Sequence, residues 1–340
     1  VRVRSIDELD ERLSRPRPAL VEDLARLDGD LVVVGASGKL GVSLVRLAVR
    51  GIEAAGTGAR VFAVSRYTGA GSREAMAATG AEVVAADVTD DEALAGLPDA
   101  ANVVYLVGAK FGTQGNQAGT WETNVYLPGR VARRYKGARI SALSTGNVYP
   151  LVEVGSGGAT EEVEPGPIGE YAMSCLGRER ILEAVSRRDG TAMALIRLNY
   201  AVEMRYGVLL DLAQTIEAGE PVDVTMGSLN LVWQGYANEV TLRALLHAAA
   251  PPLVLNLTGP ETLGVRRLAG DLSAALGKPV SFTGVEAPTA LLSNAQRCHA
   301  LFGYPDVTVP ELVEATAAWV RAGLPTLGKP TKFQRRDGKF

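Results

Sequence analysis

Two cysteines in 340 residues, Cys175 and Cys298, are too few for a disulfide framework. That usage fits a reducing, cytoplasmic setting. The chain has only two histidines, His247 and His299, both in helix-like stretches and neither within a cluster of cysteines or carboxylates, so no metal site is expected. A net charge of −3 offers no basic field, which argues against a nucleic-acid partner. The chain has no apolar run of about 18 residues, so no membrane span is expected. Arg2 and Arg4 are followed by acidic residues rather than an apolar core, so nothing suggests export. What is present, 47% hydrophobic and 21% charged residues, is ordinary globular composition, enough for one large domain or two closely joined ones.

The pattern along the chain is strand and helix in alternation. Residues 5–29 read as short helices broken at Pro16 and Pro18, a cover preceding the first strand. Strand-like apolar runs follow at 31–34, 61–64, 82–85, 102–107, 139–143 and 192–198. Helical periodicity fills the intervals at 39–50, 72–79, 121–135 and 170–186. Short, uninterrupted apolar strands separated by helices predict an α/β fold, a doubly wound parallel sheet of Rossmann type. The expected organisation is a helical extension over 1–29 and a dinucleotide-binding domain over 30–200, completed by about 228–257. A smaller substrate-binding region follows over 201–227 and 258–325, and a polar tail over 326–340 packs as an extended arm or frays.

Between the first strand and the first long helix stands Val34-Gly-Ala-Ser-Gly-Lys-Leu-Gly41. In that context Gly35 permits a tight turn, Gly38 lets backbone approach a pyrophosphate, and Gly41 lets the helix pack closely. The helix N-terminus then offers unpaired N–H groups to phosphate, so Ser37, Lys39 and Leu40 join the three glycines as dinucleotide-site residues. At the end of the second strand, where a carboxylate usually holds a free ribose 2′-hydroxyl, the chain has Ser65-Arg66. Arg66 suits a 2′-phosphate, and Lys39 adds positive charge, so NADP is favoured over NAD. Asp87, followed by Val88 after the third strand, is placed to face the adenine amino group.

Taken in order, these features resemble the extended short-chain dehydrogenase/reductase superfamily, the group of NAD-dependent epimerases and dehydratases, over roughly residues 30–325. The glycine spacing matches at Gly35, Gly38 and Gly41. Asp87 matches the aspartate after the third strand, Val107-Gly108-Ala109 the small-residue turn after the fourth, and Asn124 the helix asparagine. Ser144-Thr-Gly-Asn-Val-Tyr-Pro150 is similar to the family's serine/threonine segment, and Arg197-Leu-Asn199 to its Arg-x-x-Asn motif. Residues 292–297 and 301–305 resemble its closing helix. The family's catalytic Tyr-x-x-x-Lys falls on Tyr171-Ala-Met-Ser-Cys175, so the tyrosine is present and cysteine stands where the lysine is expected.

The resemblance implies that Thr145 orients the substrate oxygen, while Tyr171 exchanges its proton and lies against the cofactor. The lysine would normally hold the nicotinamide ribose and lower the tyrosine pKa. Cys175 cannot supply that charge. Lys110, at the sheet's C-terminal edge, is the first candidate helper, and Arg178, seven residues past Tyr171 on the same helical face, is the second. Cys175 itself reads as a small buried helix residue. An unperturbed tyrosine titrates near pH 10, so loss of the lysine harms oxidation more than reduction. Loops after the later strands place Lys110, Phe111, Asn147, Tyr149, Asn199, Tyr200 and Arg205 at the substrate cleft, with Trp233 and Gln234 able to stack on and bond a sugar or base.

The expected activity is an NAD(P)-dependent oxidation, reduction, epimerisation or dehydration at a hydroxyl or carbonyl of a small sugar-like substrate. The alternatives are an NADPH-dependent ketoreductase of a non-sugar metabolite and a non-catalytic dinucleotide sensor. Pairing of two copies into a homodimer is expected by analogy with the family alone.

Overall fold

The computed structural model describes residues 3–110 and 115–339. Its centre is a seven-stranded parallel sheet. The strands are β1 (Leu31–Val34), β2 (Val61–Ser65), β3 (Glu82–Ala85), β4 (Asn102–Tyr105), β5 (Arg139–Thr145), β6 (Met193–Leu198) and β7 (Leu253–Leu257), in spatial order 3-2-1-4-5-6-7. The order reverses between β1 and β4, and this switch point opens a crevice beyond their C-terminal ends.

Both faces of the sheet are covered, which is why β1 is apolar throughout. Leu31 and Val33 pack with Leu44, Val45 and Ala48 of the Gly41–Ala55 helix on one side. Val32 and Val34 pack with Leu127, Val131, Leu182 and Val185 of the Leu127–Arg134 and Gly169–Asp189 helices on the other. Every residue of β1 is buried. At about 25 cal/mol per Å² of apolar surface, such side chains contribute roughly 1.5–3 kcal/mol each.

The N-terminal helices, Ile6–Leu13 and Pro18–Leu24, are more than a surface cover. Leu9, Leu13, Leu20 and Leu24 are all buried. A Cβ at Gly51 would stand 2.5 Å from Leu24 Cδ1, so the glycine lets the second helix lie directly on the Gly41–Ala55 helix. Two ion pairs fasten this layer to the Gln234–Arg243 helix, Arg17–Glu239 and Arg243–Asp23, each at 2.6 Å. Removing one partner of such a buried pair typically costs about 3–5 kcal/mol.

The second region differs from expectation in one place. Residues 253–257 do complete the sheet, pairing with β6. Residues 228–234 do not. Ser228–Leu229 pairs with Leu263–Gly264, and Val232–Trp233 pairs with Ala201–Val202 in two small separate ladders. The Val208–Glu217, Val265–Leu276 and Val309–Arg321 helices then pack together around a third core that contains Trp233 and Trp319.

The tail is an ordered arm. Phe333 is 6% exposed and joins the third core. Thr331 donates through N (2.7 Å) and Oγ1 (2.5 Å) to Asp211 Oδ2. Arg336 bonds Thr289 through its main-chain O (2.6 Å) and Oγ1 (2.7 Å), and Gly338 lies against Gly169 at the start of the helix carrying Tyr171. Among the described residues no helix is long and apolar enough to cross a membrane, and no group of His, Cys, Asp and Glu is arranged to hold a metal.

Candidate active site

The glycine loop meets the steric demands read from its spacing. Gly35 has φ +89°, and a Cβ there would stand 2.9 Å from Val107 at the end of β4. A Cβ at Gly41 would lie 1.9 Å from the Ala36 carbonyl oxygen. Gly38 is different, since its only close neighbour is Gly35 O at 3.3 Å, leaving open space outside the loop. Leu40 precedes the helix and no side chain caps it, so the first-turn N–H groups face that space. Open space beside Gly38 and an uncapped helix start are what a pyrophosphate requires, so the residues fit a dinucleotide.

Arg66 and Asp87 stand together at the β2 and β3 ends, 3.9 Å apart, and Arg66 is exposed. Asp87 Oδ1 also accepts from Thr89 N and Oγ1, which holds its pKa below the usual carboxylate range with a smaller contribution from Arg66. Ser37 and Ser65 share a hydrogen bond of 2.5 Å between the loop and β2. Val88 is buried in the core cluster that holds Val64 and Leu94. Lys39 does not add charge at this end. Its side chain crosses the other way, with Nζ donating to Ala201 O at 2.7 Å and lying 3.9 Å from the Tyr206 ring centroid.

At the opposite end lies a cleft lined by Lys39, Leu40, Lys110, Thr145, Asn147, Tyr171, Asn199 and Tyr200. Strand β5 ends at Thr145, and the helix from Gly169 delivers Tyr171 to it. Thr145 Oγ1 accepts from Asn147 N (3.2 Å) and Nδ2 (3.0 Å), which directs its own proton toward the Tyr171 hydroxyl that it bonds. Burial pushes the Tyr171 pKa well up. The neighbouring Cys175 thiol adds to the rise, while Arg178 and Thr145 oppose it. Tyr200 lines the same cleft with φ +47°, an uncommon conformation for a side chain of that size.

Asn124 ties the site together. It lies in a single π-helical turn, Glu122–Tyr126, and is fully buried. Its Oδ1 accepts from Ala109 N and Arg178 Nη2, each at 2.8 Å, and its Nδ2 donates to Ala109 O and Ser174 Oγ, each at 2.9 Å. The β4 turn and the Tyr171 helix are thereby locked to each other. Arg178 also donates to Leu143 O and passes beneath Gly108, where a Cβ would meet its Nη2 at 2.8 Å. Cys175 is 1% exposed and packs with Val148, Tyr149 and Ala159, and burial pushes its thiol pKa up.

Several expected substrate contacts fall elsewhere. Trp233 is 2% exposed in the third core, where the Val232–Trp233 ladder turns its ring inward. Gln234 is buried and donates to Ser43 Oγ at 3.1 Å, under the Gly41–Ala55 helix. Arg205 pairs with Asp10 (3.0 Å) and Glu203 (3.2 Å), held away by the N-terminal helix. Tyr149 is buried between Arg197 (2.7 Å) and Asn256 (2.9 Å), in a network where Arg197 and Glu179 pair at 2.7 Å. Phe111 lies outside the described residues. Of the cleft residues with polar side chains, two had no sequence signal of their own, Tyr206 and Thr331. The only hint of Thr331 was the apolar Phe333 in an otherwise polar tail.

Fold and site together define a doubly wound dinucleotide-binding protein with a tyrosine–threonine pair at the end of β5. The model of the NAD dependent epimerase/dehydratase family matches residues 31–234, more than half of the chain. The chain belongs to that family, whose enzymes are of the extended short-chain dehydrogenase/reductase type. Among solved structures it is similar to UDP-glucuronic acid 4-epimerase from Bacillus cereus in complex with UDP-glucuronic acid and NAD (15% identity, 86% of this chain and 99% of that one, TM-score 0.71). A dTDP-glucose 4,6-dehydratase from Streptomyces venezuelae with NAD bound gives 21% identity over 86% and 97% of the two chains, with a TM-score of 0.72. A UDP-galactose 4-epimerase gives 22% identity over 87% and 99%, with a TM-score of 0.69. At these identities the likeness establishes the fold. No curated protein sequence matches the chain.

Proposed function

We propose that the protein is a dinucleotide-dependent enzyme acting on a hydroxyl or carbonyl of a sugar-like substrate, with Tyr171 as proton carrier and Thr145 orienting the reacting oxygen. The observation that carries this reading is that Tyr171 and Thr145 line one cleft that also receives Lys39 and Leu40 of the glycine loop. The bound dinucleotide supplies the hydride donor or acceptor. Gly35, Gly38, Gly41 and the first turn of the Gly41–Ala55 helix hold its phosphates. Arg66, at a β2 end that carries no carboxylate of its own and with Asp87 of the β3 end 3.9 Å away, favours NADP.

Thr145, its acceptor positions taken by Asn147, has one proton to give, and it turns that proton from Tyr171 to the substrate oxygen when substrate binds. Tyr171, held protonated by burial, donates its proton to that oxygen as negative charge develops. Arg178, fixed by Asn124 and Leu143, is the cation that opposes the rise in the Tyr171 pKa, so it stabilises the tyrosinate left behind. The chain is therefore better suited to reduction than to oxidation, since oxidation requires Tyr171 to begin without its proton.

The test is Tyr171→Phe in parallel with Thr145→Val. General acid catalysis is worth about 10²–10⁴-fold, so single-turnover hydride transfer falls by that order while dinucleotide affinity holds. Unchanged hydride transfer in Tyr171→Phe would favour a binding or sensing role instead.

A further inference from the structure

The C-terminal arm, residues 326–339, runs from one wall of the cleft to the other. It starts where Leu327 N donates to Arg205 O, in the segment that also supplies Tyr200, Tyr206 and Gly207 to the lining. Thr331 then bonds Asp211 Oδ2 through N and Oγ1, and its carbonyl oxygen accepts from Lys110 Nζ at 3.4 Å. Further on, Phe333 enters the third core, and Arg336 donates to Thr289 O and Oγ1 and lies 3.5 Å from Met226 Sδ. The crossing ends on the helix of Tyr171. A Cβ at Gly338 would stand 2.1 Å from Ile168 O, and one at Gly169 would stand 2.6 Å from Gly338 O, so each glycine makes room for the other.

The arm is attached as a strap is, at points. It contains no helix or strand, and among the described residues its one main-chain hydrogen bond to the body is that of Leu327. Side chains hold the rest, with Phe333 as the buried apolar anchor. Lys332, between Thr331 and Phe333, sits at φ +55°, a conformation that a lysine adopts only at a cost. Gly328 at φ +61° and Gly338 at φ +70° allow the chain to pivot near each end. A segment with few buried apolar contacts and no strand ladder opens locally well below the cost of global unfolding.

A dinucleotide passes beneath this strap. With its phosphates at Gly38 and its adenosine toward Arg66 and Asp87, its other half extends toward β4 and β5, into the cleft where Thr331 stands with Leu40, Thr145 and Tyr171. We propose that the C-terminal arm is a strap over the nicotinamide half of the dinucleotide site, lifting to let the dinucleotide in and out and docking again through Asp211, Thr289 and Gly169. This rests on the dinucleotide reading above. The strap closes over the empty and the loaded site alike, so loosening it speeds entry and exit together and leaves affinity almost unchanged. A residue that only contacts the bound ligand changes exit alone.

Stopped-flow fluorescence with NADPH and NADH on the full chain reads both rates, for the parent, Arg336→Met and Gly338→Val. The first variant removes the donors to Thr289, and the second drives a side chain against Ile168 O. They loosen the arm at different contacts, so loss of fold in one leaves the other to answer, and neither residue lines the cleft. Adenosine 2′,5′-bisphosphate and AMP, which fill the adenosine end alone, are the controls. The expected result is a rise of about ten- to hundredfold in both dinucleotide rates, the worth of the charge-assisted hydrogen bonds lost in Arg336→Met, with little change in Kd. The rates of the two short probes stay as they are in the parent.

Three outcomes overturn the proposal: neither rate moves in either variant; dissociation alone rises and affinity falls in step, which makes the arm a fixed wall of the site; or the short probes speed up as much as the dinucleotide, which places the effect in the glycine loop. In all three the dinucleotide still binds, so the functional reading stands while the strap falls. Failure of the parent protein to bind either NADPH or NADH is a different result, which removes the dinucleotide reading and the strap together.

Discussion

Arg178 grips Asn124 twice, Nη2 on the side-chain Oδ1 at 2.8 Å and Nε on the main-chain oxygen at 3.3 Å. One buried cation therefore braces the π-helical turn, the β4 turn and the strand carrying Thr145. Arg178→Met leaves Leu143 O without this donor, and each unsatisfied buried group costs about 1–3 kcal/mol. The expected outcome is a lower denaturant midpoint together with a higher Tyr171 pKa, read from the alkaline limb of the pH–rate profile. Arg178→Lys restores charge without the fork and recovers the pH profile more than the stability.

Gly38 and Gly41 separate ligand space from packing. Gly41→Ala forces a Cβ against the Ala36 carbonyl, so both thermal stability and dinucleotide binding fall. Gly38→Ala meets only Gly35 O at 3.3 Å, so stability changes little while dinucleotide affinity drops. A thermal melt and a fluorescence titration with NADPH read the two effects apart. Equal loss of stability in both variants would mean that Gly38 is a packing glycine.

Arg66 is the only expected determinant of cofactor choice that the structure keeps at the β2 end, because Lys39 points into the cleft. Arg66→Ala is expected to weaken NADPH by about tenfold, roughly 1.4 kcal/mol, and to leave NADH unchanged. Parallel fluorescence titrations check it. Equal affinities for the two cofactors in the parent protein would remove the preference.

The cleft lysines also set a pH dependence of stability. Their pKa values are lowered to about 7 and about 8 in the folded protein, against an unfolded value near 10.4. Between those limits the unfolded chain binds more protons than the folded one, so stability rises as pH increases from about 7 toward 10. Solvent in the cleft screens part of the effect. Thermal melts of ligand-free protein should rise over this window, and Lys39→Met with Lys110→Met should flatten the rise.

The glycine loop and the alternation of strands and helices were legible because each is local. Three glycines between a buried strand and a helix encode a turn through φ and close approach, and a short apolar run encodes a strand covered on both faces. Tyr171 and Thr145 were legible only through their resemblance to the family's motifs; the structure places them at the start of the Gly169–Asp189 helix and at the end of β5, lining one cleft. Cys175, the departure in the motif, was equally plain. The direction of a long side chain is not local. Lys39 read as a cofactor charge because its Cα sits in the phosphate loop, yet its Nζ reaches Ala201 on the other side. Trp233, Gln234 and Arg205 read as cleft residues by chain position. Short ladders and the N-terminal helices, elements distant in sequence, turned them into core or into ion pairs.

By itself, then, the sequence determined the alternation of strands and helices that makes the doubly wound parallel sheet and the glycine turn after β1, because hydrophobic period, glycine spacing and element order act over a few residues. Tertiary structure alone decided how Arg178, on the helix that carries Tyr171, is held by Asn124 and Leu143 O. It also decided that two lysines share one small cleft and that the arm bearing Thr331 forms part of its wall. Those outcomes depend on which desolvated charges and hydrogen-bonding groups meet across more than a hundred residues of chain, a pairing no local pattern specifies.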